Sequence, residues 1–418
     1  MNKLGFVLSS RGIRNTVDRA LQVGSRFGIT AARMEARLAG YADLVREYGG
    51  APSLPMTAVV LDRNPQVARR LVRAGVELCV HGLVHTDMAR LPAEIQEDHI
   101  RRAADLFAHH GIDFEGFRSP YLKFNQGTLA AVEKLGFRYD SNLPFYYEPA
   151  EALRLLTPEE ADGLRRGLKF YGPVKYPADR CLPRYAGSII EIPVALPDDE
   201  IMLDRMGLPV ERIGDVWTEM TAMALARGEM LTLQLHPERI LHLEGALRRV
   251  LDYACGTSSF WLAQMKEIAA WWDARTHASV KVVPAPDGQY EATLSGPPGL
   301  GLVAHDPVSG VSLSLKQGRR LRSPARPVIG VAETAPQSLR HNIRQLGYFY
   351  EITADSTAAN LYIDGEVDAA ELGNRVGKCP GPLLADTRWP APYKAAITVT
   401  GDIDCLTLGD FVRRFREG

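Results

Sequence analysis

The segment Glu77-Leu-Cys-Val-His81-Gly-Leu-Val-His85-Thr-Asp87 is the most informative stretch of the chain. A short apolar run that ends in polar residues predicts a buried strand with functional side chains at its carboxyl end. Histidines at this spacing share one face of a helical turn, so His81 and His85 could bind one metal ion. A catalytic metal usually takes a carboxylate as well. Asp87 is either a hydrogen-bonding partner of an imidazole or a helix N-cap.

The composition is that of a globular protein and points to no polyanionic partner. The chain has 418 residues, is 46% hydrophobic and 24% charged, and carries a net charge of −1. This balance gives no reason to expect nucleic acid or an anionic membrane as a partner. No apolar stretch approaches the roughly 18 residues of a spanning helix. The five cysteines form no Cys-x-x-Cys pair, and the N-terminus has too short an apolar core for a signal peptide, so we expect a cytoplasmic protein.

The order of apolar runs and helical segments predicts a large α/β domain with a smaller module. Short apolar runs alternate with helical segments up to about residue 275, which predicts a mostly parallel α/β sheet or barrel. Strand alternation with glycine and proline clusters then predicts a small β-rich or α+β module. We therefore expect a barrel over residues 1–278, the module over residues 279–385, and a C-terminal segment, residues 386–418, that completes the barrel.

Two further segments carry candidate functional residues at predicted strand ends. In Gly116-Phe-Arg118-Ser-Pro120-Tyr121 the proline stiffens the loop and leaves the Tyr121 N–H able to help hold an oxyanion. The alternative is a turn with an exposed arginine. Leu231-Thr-Leu-Gln-Leu-His236 is an alternating strand that ends in histidine, and His236 is either a general acid, a metal ligand or a structural residue.

Acidic residues follow two other apolar runs. The acids of the segment from Glu191 to Glu200 would hold substrate hydroxyls, position the Arg118 region, or form a solvated loop. Asp402 and Asp404 follow an apolar run in Thr400-Gly-Asp402-Ile-Asp404 and point the same way on an extended chain. One could bind metal while the other acts as a base, because neighbouring carboxylates favour different protonation states. An Asx-rich turn is the alternative.

Together these motifs resemble the polysaccharide deacetylase family (carbohydrate esterase family 4). The family's His-x-x-x-His motif matches His81 and His85, its Arg-x-Pro-Tyr motif matches Arg118 to Tyr121, and its Leu-x-Leu-His motif ends at His236. The resemblance covers roughly residues 30 to 275 and implies a distorted (β/α) barrel. It also implies a divalent metal, most often zinc, held by two histidines and one aspartate.

The family's first motif, which supplies two aspartates, is missing upstream of His81. Only Thr57-Ala-Val-Val-Leu-Asp62 lies there, and it reads as the second strand of the barrel rather than the first. A fitting sequence ends at Asp404 instead, and the simplest account is a circular permutation. The order within the family's motif then implies Asp404 as the metal ligand and Asp402 as the base. If the permutation is wrong, Asp62 or Asp87 becomes the expected carboxylate.

The resemblance also implies roles for the remaining residues and an activity. His236 would be the acid, Arg118 would orient Asp402, and the Tyr121 N–H would help with the oxyanion. Gly82 and Gly401 replace the family's usual hydroxyl and aromatic residues, which puts the substrate-side packing in doubt. We expect a metal-dependent hydrolase that removes an N-acetyl group from a sugar or a glycan precursor.

Two alternatives to this function stay open. The first is a metal-dependent hydrolase of a cyclic imide or another non-sugar amide. The second is a non-catalytic protein that binds glycan or assembles a complex around a vestigial site. Metal content would separate the second alternative from the two enzymes, and activity on N-acetylhexosamine substrates against imides would separate the enzymes from each other.

Overall fold

The computed structural model describes residues 26–176, 178–315 and 320–417. The chain forms two compact units, of which the first comprises Met1–Glu267 with Ala396–Gly418 and the second Ile268–Ala395. The N-terminal stretch on which the expectation about a signal peptide depends lies outside the described residues. Within the described ranges, every helix is too short or too polar to span a membrane.

A nine-stranded sheet with mostly parallel pairing organises the first unit. The strands that belong to the sheets of this unit are β1 (Ser53–Met56), β2 (Glu77–Val80), β3 (Gly116–Phe117), β4 (Tyr139–Asp140), β5 (Pro144–Tyr146), β6 (Val174–Lys175), β7 (Arg184–Ala186), β8 (Ile189–Glu191), β9 (Val194–Leu196), β10 (Met230–Gln234), β11 (Phe260–Leu262) and β21 (Ala395–Thr400). The order in the main sheet is β10-β21-β1-β2-β3-β4-β8-β7, and β11 pairs with β21. Only β7 and β8 pair in antiparallel fashion along this order. A second sheet joins β6, β5 and β9 in parallel.

Helices connect these strands, as expected for parallel pairing. They are α1 (Ala32–Glu47), α2 (Ala58–Arg63), α3 (Pro65–Arg73), α4 (Ala93–His109), α5 (Gln126–Lys134), α6 (Pro158–Tyr171), α7 (Val210–Arg227), α8 (Ile240–Gly256), α9 (Met265–Thr276) and α12 (Leu408–Glu417). A capping box fixes the start of α6, because Thr157 accepts from the Glu160 N–H while the Glu160 side chain accepts from the Thr157 N–H. Gly172, with φ +63°, ends the same helix.

The C-terminal strand β21 lies inside the main sheet. It pairs with β10 from Met230↔Ala396 to Gln234↔Thr400 and with β1 at Ser53↔Thr400. All six residues of β21 are buried, as expected for a strand with neighbours on both edges and covered faces. Because carboxyl ends of parallel strands meet at one edge of a sheet, the residues after Thr400 come close to those after β2.

One local expectation was wrong. The run from Thr57 to Asp62 was predicted to be a strand, but β1 ends at Met56 and α2 begins at Ala58. An apolar run of this length fits a buried helix as well as a strand, and Thr57 makes the turn between them. The segment from residue 153 to residue 184 contains α6, whose start is marked in the sequence by the capping box of Thr157 and Glu160.

The second unit is an α+β module. Its strands are β12 (Ser279–Ala285), β13 (Gln289–Ser295), β14 (Leu302–His305), β15 (Ser312–Leu315), β16 (Arg320–Arg322), β17 (Arg326–Val331), β18 (Tyr350–Ile352), β19 (Ala359–Ile363) and β20 (Leu383–Asp386), and its further helices are α10 (Gln337–Gln345) and α11 (Ala369–Gly377). Three sheets result, in the orders β12-β13-β16, β15-β14-β20 and β18-β17-β19. The last is parallel and packs an apolar core with α10 and α11. The expected α/β fold with a curled, barrel-like sheet and a smaller module is confirmed.

Candidate metal centre

His81 is held in the orientation that a metal ligand needs. It follows β2 and is fully buried. Its Nδ1 lies 2.8 Å from the carbonyl oxygen of Arg118. Because a carbonyl only accepts hydrogen bonds, Nδ1 carries the proton and Nε2 keeps its lone pair. Among the described residues, no group forms a hydrogen bond with the buried Nε2.

The Nε2 atoms of His81 and His85 and the carboxylate of Asp404 form a compact donor set. His81 Nε2 lies 3.4 Å from Asp404 Oδ1, and His85 Nε2 lies 3.4 Å from Asp404 Oδ2. One ligand atom from each of the three residues can be chosen so that all lie within 4.8 Å of one another. Two donors that are each about 2.1 Å from a tetrahedral ion lie about 3.4 Å apart. The spacing therefore fits a divalent metal such as zinc.

The protonation states of the donors also suit a metal. Burial lowers the pKa of His85 well below its usual value, so the imidazole is neutral and offers a lone pair. Burial alone would raise the pKa of Asp404, but Arg414 and the two histidines hold it well below the usual range. Asp404 Oδ1 is buried and accepts no hydrogen bond within the described part of the chain. An unpaired buried carboxylate oxygen beside an unpaired imidazole nitrogen is what a missing cation would satisfy.

Asp402 is fixed beside the donor set but is not part of it. Its Oδ1 accepts from Arg118 Nη1 at 3.1 Å, and its Oδ2 accepts from Gln234 Nε2 at 3.0 Å. Oδ2 lies 3.8 Å from His81 Nε2. The fully buried guanidinium of Arg118 also donates to Thr400 Oγ1 and thereby connects the loop after β3 to β21. Two donors therefore hold the Asp402 carboxylate in a fixed orientation.

His236 forms a separate, strongly polarised pair with Asp199. Its Nδ1 lies 2.8 Å from Asp199 Oδ1, and its backbone N–H donates to Asp199 Oδ2. Burial would lower the pKa of His236, but Asp199 raises it to about 10. The pKa of Asp199 falls to about 2 despite its burial, because His236 and Arg239 stabilise the carboxylate. The imidazole is therefore protonated at neutral pH, with a side chain that is 19% exposed.

Sequence reasoning missed the role of Asp199 and assigned the acidic segment differently. Glu191 accepts the backbone N–H groups of Asn142 and Leu143, and Asp198 accepts the N–H of Ile201. Among the described residues neither acid contacts Arg118 itself. Glu191 holds Asn142, whose Oδ1 accepts the Ser119 N–H at 2.6 Å, so the alternative that this segment positions the Arg118 region stays open. A strand end followed by acids was the available signal, but it could not say which acid would meet His236.

Tyr121 lies at the rim of the donor set. Its ring is 40% exposed and meets the His85 ring edge-on, with the centroids 4.2 Å apart. The backbone has φ +60° there, in the left-handed region that a tyrosine rarely adopts. Unusual backbone of this kind occurs often at functional sites. That the Tyr121 N–H helps to hold an oxyanion stays a prediction.

The two alternative carboxylates pair elsewhere. Asp62 lies on α2, where its Oδ1 is 2.7 Å from His110 Nε2. Asp87 stands at the N-cap position of the short 3₁₀ helix Met88–Arg90, but its side chain makes no capping hydrogen bond and pairs with Arg90 at 3.0 Å. Within the described residues it makes no hydrogen bond with an imidazole. Neither belongs to the donor set found among the described residues.

Close packing explains both glycine departures from the family pattern. A Cβ at residue 401 would lie 2.5 Å from the carbonyl oxygen of Leu235 and 2.9 Å from Pro237 Cγ, so an aromatic residue has no room there. Gly82 has φ +74°, a backbone conformation that favours glycine. A Cβ there would also lie 3.2 Å from the ring of His99. Glycine at both positions is therefore explained by the packing and backbone conformation of this chain.

His99 holds the loop that joins the two histidines of the donor set. Its Nδ1 accepts from the Leu83 N–H at 3.2 Å, and its Nε2 lies 3.4 Å from the Val84 nitrogen. Burial lowers the pKa of His99 to about 4. The ring is therefore a neutral acceptor at pH 7, and it keeps the turn between His81 and His85 in place.

Replacing His99 by alanine is expected to weaken metal binding by about tenfold, because a partner that orients a ligand typically contributes this much. His99→Asn keeps an acceptor near the position of Nδ1 and should retain most of the affinity. His109→Ala, at an exposed position of the same helix, is the matched control. Competition titration with a metal-binding dye measures all three variants, and equal affinity of His99→Ala and wild type would remove His99 from the site.

Comparison with known proteins finds a family match for the segment that contains His81 and His85. Residues 37–139 match the sequence profile of the polysaccharide deacetylase family. This segment belongs to that family. It includes His81, His85 and the motif from Arg118 to Tyr121, so the resemblance read from these motifs is confirmed. The deacetylase segment ends before His236 and the C-terminal aspartates.

The chain is also similar to individual proteins over part of its length. A curated peptidoglycan deacetylase-like protein of Gibberella zeae is 30% identical over 84 residues, which are 20% of this chain and 25% of that protein. The chain thus matches about a quarter of the length of this relative. A solved probable polysaccharide deacetylase of Pseudomonas aeruginosa is 21% identical, with a TM-score of 0.44 over 58% of this chain and 74% of that chain. A putative polysaccharide deacetylase of Mycobacterium smegmatis is also 21% identical, with a TM-score of 0.42 over 57% and 76%.

Proposed function

We propose that this protein is a metal-dependent hydrolase that removes the N-acetyl group from an N-acetylated sugar or glycan precursor. The observation that carries the proposal is the convergence of His81, His85 and Asp404 beside an oriented second carboxylate, Asp402. The polysaccharide deacetylase segment, residues 37–139, supports the choice of reaction.

A bound divalent metal would polarise the acetyl carbonyl and lower the pKa of the attacking water. His81, His85 and Asp404 would hold it, and two imidazoles with one carboxylate are a donor set that suits zinc. Asp402 would take the proton of the water, because hydrogen bonds from Arg118 and Gln234 orient its carboxylate beside the donor set.

The acid of the reaction would be His236. Its side chain is partly exposed while Asp199 holds Nδ1, so Nε2 is the atom that donates a proton to the leaving amine nitrogen. His236 also lies close enough to His85 to contribute to lowering the pKa of that ring. The Tyr121 N–H would stabilise the oxygen that becomes negative in the transition state.

Replacing Asp199 by asparagine is expected to move the basic limb of the pH–rate profile to lower pH. Asp199 raises the pKa of His236 to about 10; without it, burial would take that pKa below the usual 6.5. The protonated fraction at pH 8 then falls, and kcat should fall by about 100-fold there and by less at pH 6.

The matched control is Asp198→Asn, because burial and Asp199 raise the pKa of Asp198 to about 8, so it is largely protonated at neutral pH. Its profile should follow that of the wild type. A profile of Asp199→Asn that coincides with wild type would assign His236 to structure rather than to proton transfer.

Release of acetate from N-acetylglucosamine oligomers and from a nucleotide-linked N-acetylhexosamine tests the function. Activity that chelation removes and added zinc restores supports the proposal. Hydrolysis of dihydropyrimidine-type imides without acetate release would favour the alternative enzyme. Absence of turnover with a bound metal would favour a non-catalytic role.

We further propose that the chain is a circular permutation of the family's usual order. The pairing of β21 between β10 and β1 supports this, because a strand that follows β10 in the sequence lies beside β1 in the sheet and is followed by Asp402 and Asp404. The Leu408 N–H also donates to the carbonyl oxygen of Gly28, so the segment after β21 runs beside the one that precedes α1. The cytoplasmic location stays a prediction that cell fractionation can check.

A further inference from the structure

Arg414 places a permanent positive charge at the candidate metal centre. Its Nη1 lies 2.7 Å from Asp404 Oδ2. Its Nη2 lies 2.9 Å from His85 Nδ1 and 3.2 Å from His85 Nε2. A guanidinium stays protonated in proteins. The positively charged Arg414 side chain therefore lies against two of the three donors, His85 and Asp404.

The two histidines differ in their readiness for a metal. His81 donates through Nδ1 and leaves Nε2 with its lone pair, whereas Arg414 contacts both nitrogens of His85. A neutral imidazole has one lone pair. If it lies on Nδ1, it accepts from Arg414 and Nε2 bears the proton. If it lies on Nε2, the Arg414 N–H faces the N–H of Nδ1. In either tautomer this position of Arg414 is incompatible with metal binding through His85 Nε2.

We propose that Arg414 and a divalent metal compete for Asp404 and His85. In the metal-free protein Arg414 supplies the positive charge that the buried carboxylate needs, and an entering metal displaces it. Arg414 thereby sets the metal affinity of the centre. The proposal rests on the metal site of the proposed function, but it does not depend on the reaction or on the substrate.

The exchange is a movement of one side chain rather than of the helix α12. Phe411 stacks on Phe27 with the ring centroids 5.7 Å apart, and Asp410 lies 3.3 Å from Arg63. Asp410 also accepts the backbone N–H groups at the start of α12. These contacts anchor the helix. The Arg414 side chain is 26% exposed and reaches the centre on a flexible stem, so solvent is open to it when it leaves.

Metal titration of the full-length chain tests the proposal. Arg414→Gln should bind Co²⁺, followed by its visible absorption, and Zn²⁺, followed by calorimetry, at least about tenfold more tightly than wild type, because a charge that repels the ion is gone. Arg414→Lys keeps the charge but loses the forked contact, so its affinity should lie between the two. Arg413→Gln makes the same charge change at an exposed position of the same helix and should bind as wild type does.

The outcomes separate this inference from the metal site itself. If wild type binds Co²⁺ and Arg414→Gln binds it equally or less tightly, Arg414 only orients Asp404, and the competition is wrong while the site stands. If neither binds Co²⁺, both the competition and the site are wrong. If Arg414→Gln does not fold, Arg414→Lys decides: a gain in affinity over wild type supports the competition, and no gain overturns it.

Discussion

Replacement of Asp402 by asparagine is expected to lower kcat by about 1,000-fold or more, with the metal affinity nearly unchanged. The loss would follow from removing the group proposed to take the proton of the attacking water. The affinity is retained because Asp402 is not one of the three donors, and Arg118 and Gln234 already hold its two oxygens. Acetate release and metal titration on the same preparation measure both quantities.

The asparagine variant should fold, since Gln234 can adapt to it. Gln234 donates to Asp402 Oδ2 through Nε2, while its Oε1 has no hydrogen-bond partner among the described residues. Rotation of the Gln234 amide by half a turn presents Oε1 to the new amide nitrogen and keeps a hydrogen bond. Arg118 then still donates to the remaining oxygen of residue 402.

Asp404→Asn is the matched control, because it makes the same chemical change two residues away. It should weaken metal binding by about 100-fold, since it removes a charged ligand. The two variants therefore separate turnover from metal binding. If Asp402→Asn turns over normally, or if it loses the metal and Asp404→Asn does not, the roles assigned to the two aspartates are exchanged or wrong.

The convergence of the donor set could be predicted from the sequence because the information is local to two strand ends. His81 and His85 follow one apolar run, and Asp402 and Asp404 follow another. Parallel strands place such ends at one edge of a sheet. These two strands are more than 300 residues apart in the sequence. Only the order of motifs in the polysaccharide deacetylase family indicated that they would lie close together in the sheet.

The partners of these residues could not be predicted in the same way. Gln234 reads as an ordinary strand residue, and its contact with Asp402 depends on the register of β10 against β21. His99 lies in the middle of a charged helix, where nothing in the spacing indicates that it accepts an N–H from another loop. Arg414 is one of several arginines on a short amphipathic helix. These contacts arise from packing between elements, which composition and periodicity do not encode.

Deletion of residues 396–418 is expected to abolish both cooperative unfolding of the first unit and metal binding. The deletion exposes the facing edges of β10 and β1, because β21 pairs with both. It also removes Asp402 and leaves the buried guanidinium of Arg118 without its carboxylate. Breaking a buried ion pair from one side alone costs about 3–5 kcal/mol. Circular dichroism and metal titration on the truncated chain measure the two effects.

A point substitution tests the same strand in a chain that still folds. Ile397→Ala should lower the free energy of unfolding by about 2–5 kcal/mol, because Ile397 is fully buried in β21 and its loss leaves a cavity. Ile29→Ala makes the identical change at a side chain that is 91% exposed, so it should alter stability by less than about 0.5 kcal/mol. Urea denaturation compares the two. If both variants unfold like wild type, β21 is not a core strand. If the truncated chain still binds metal, the carboxylate ligand is a residue other than Asp404.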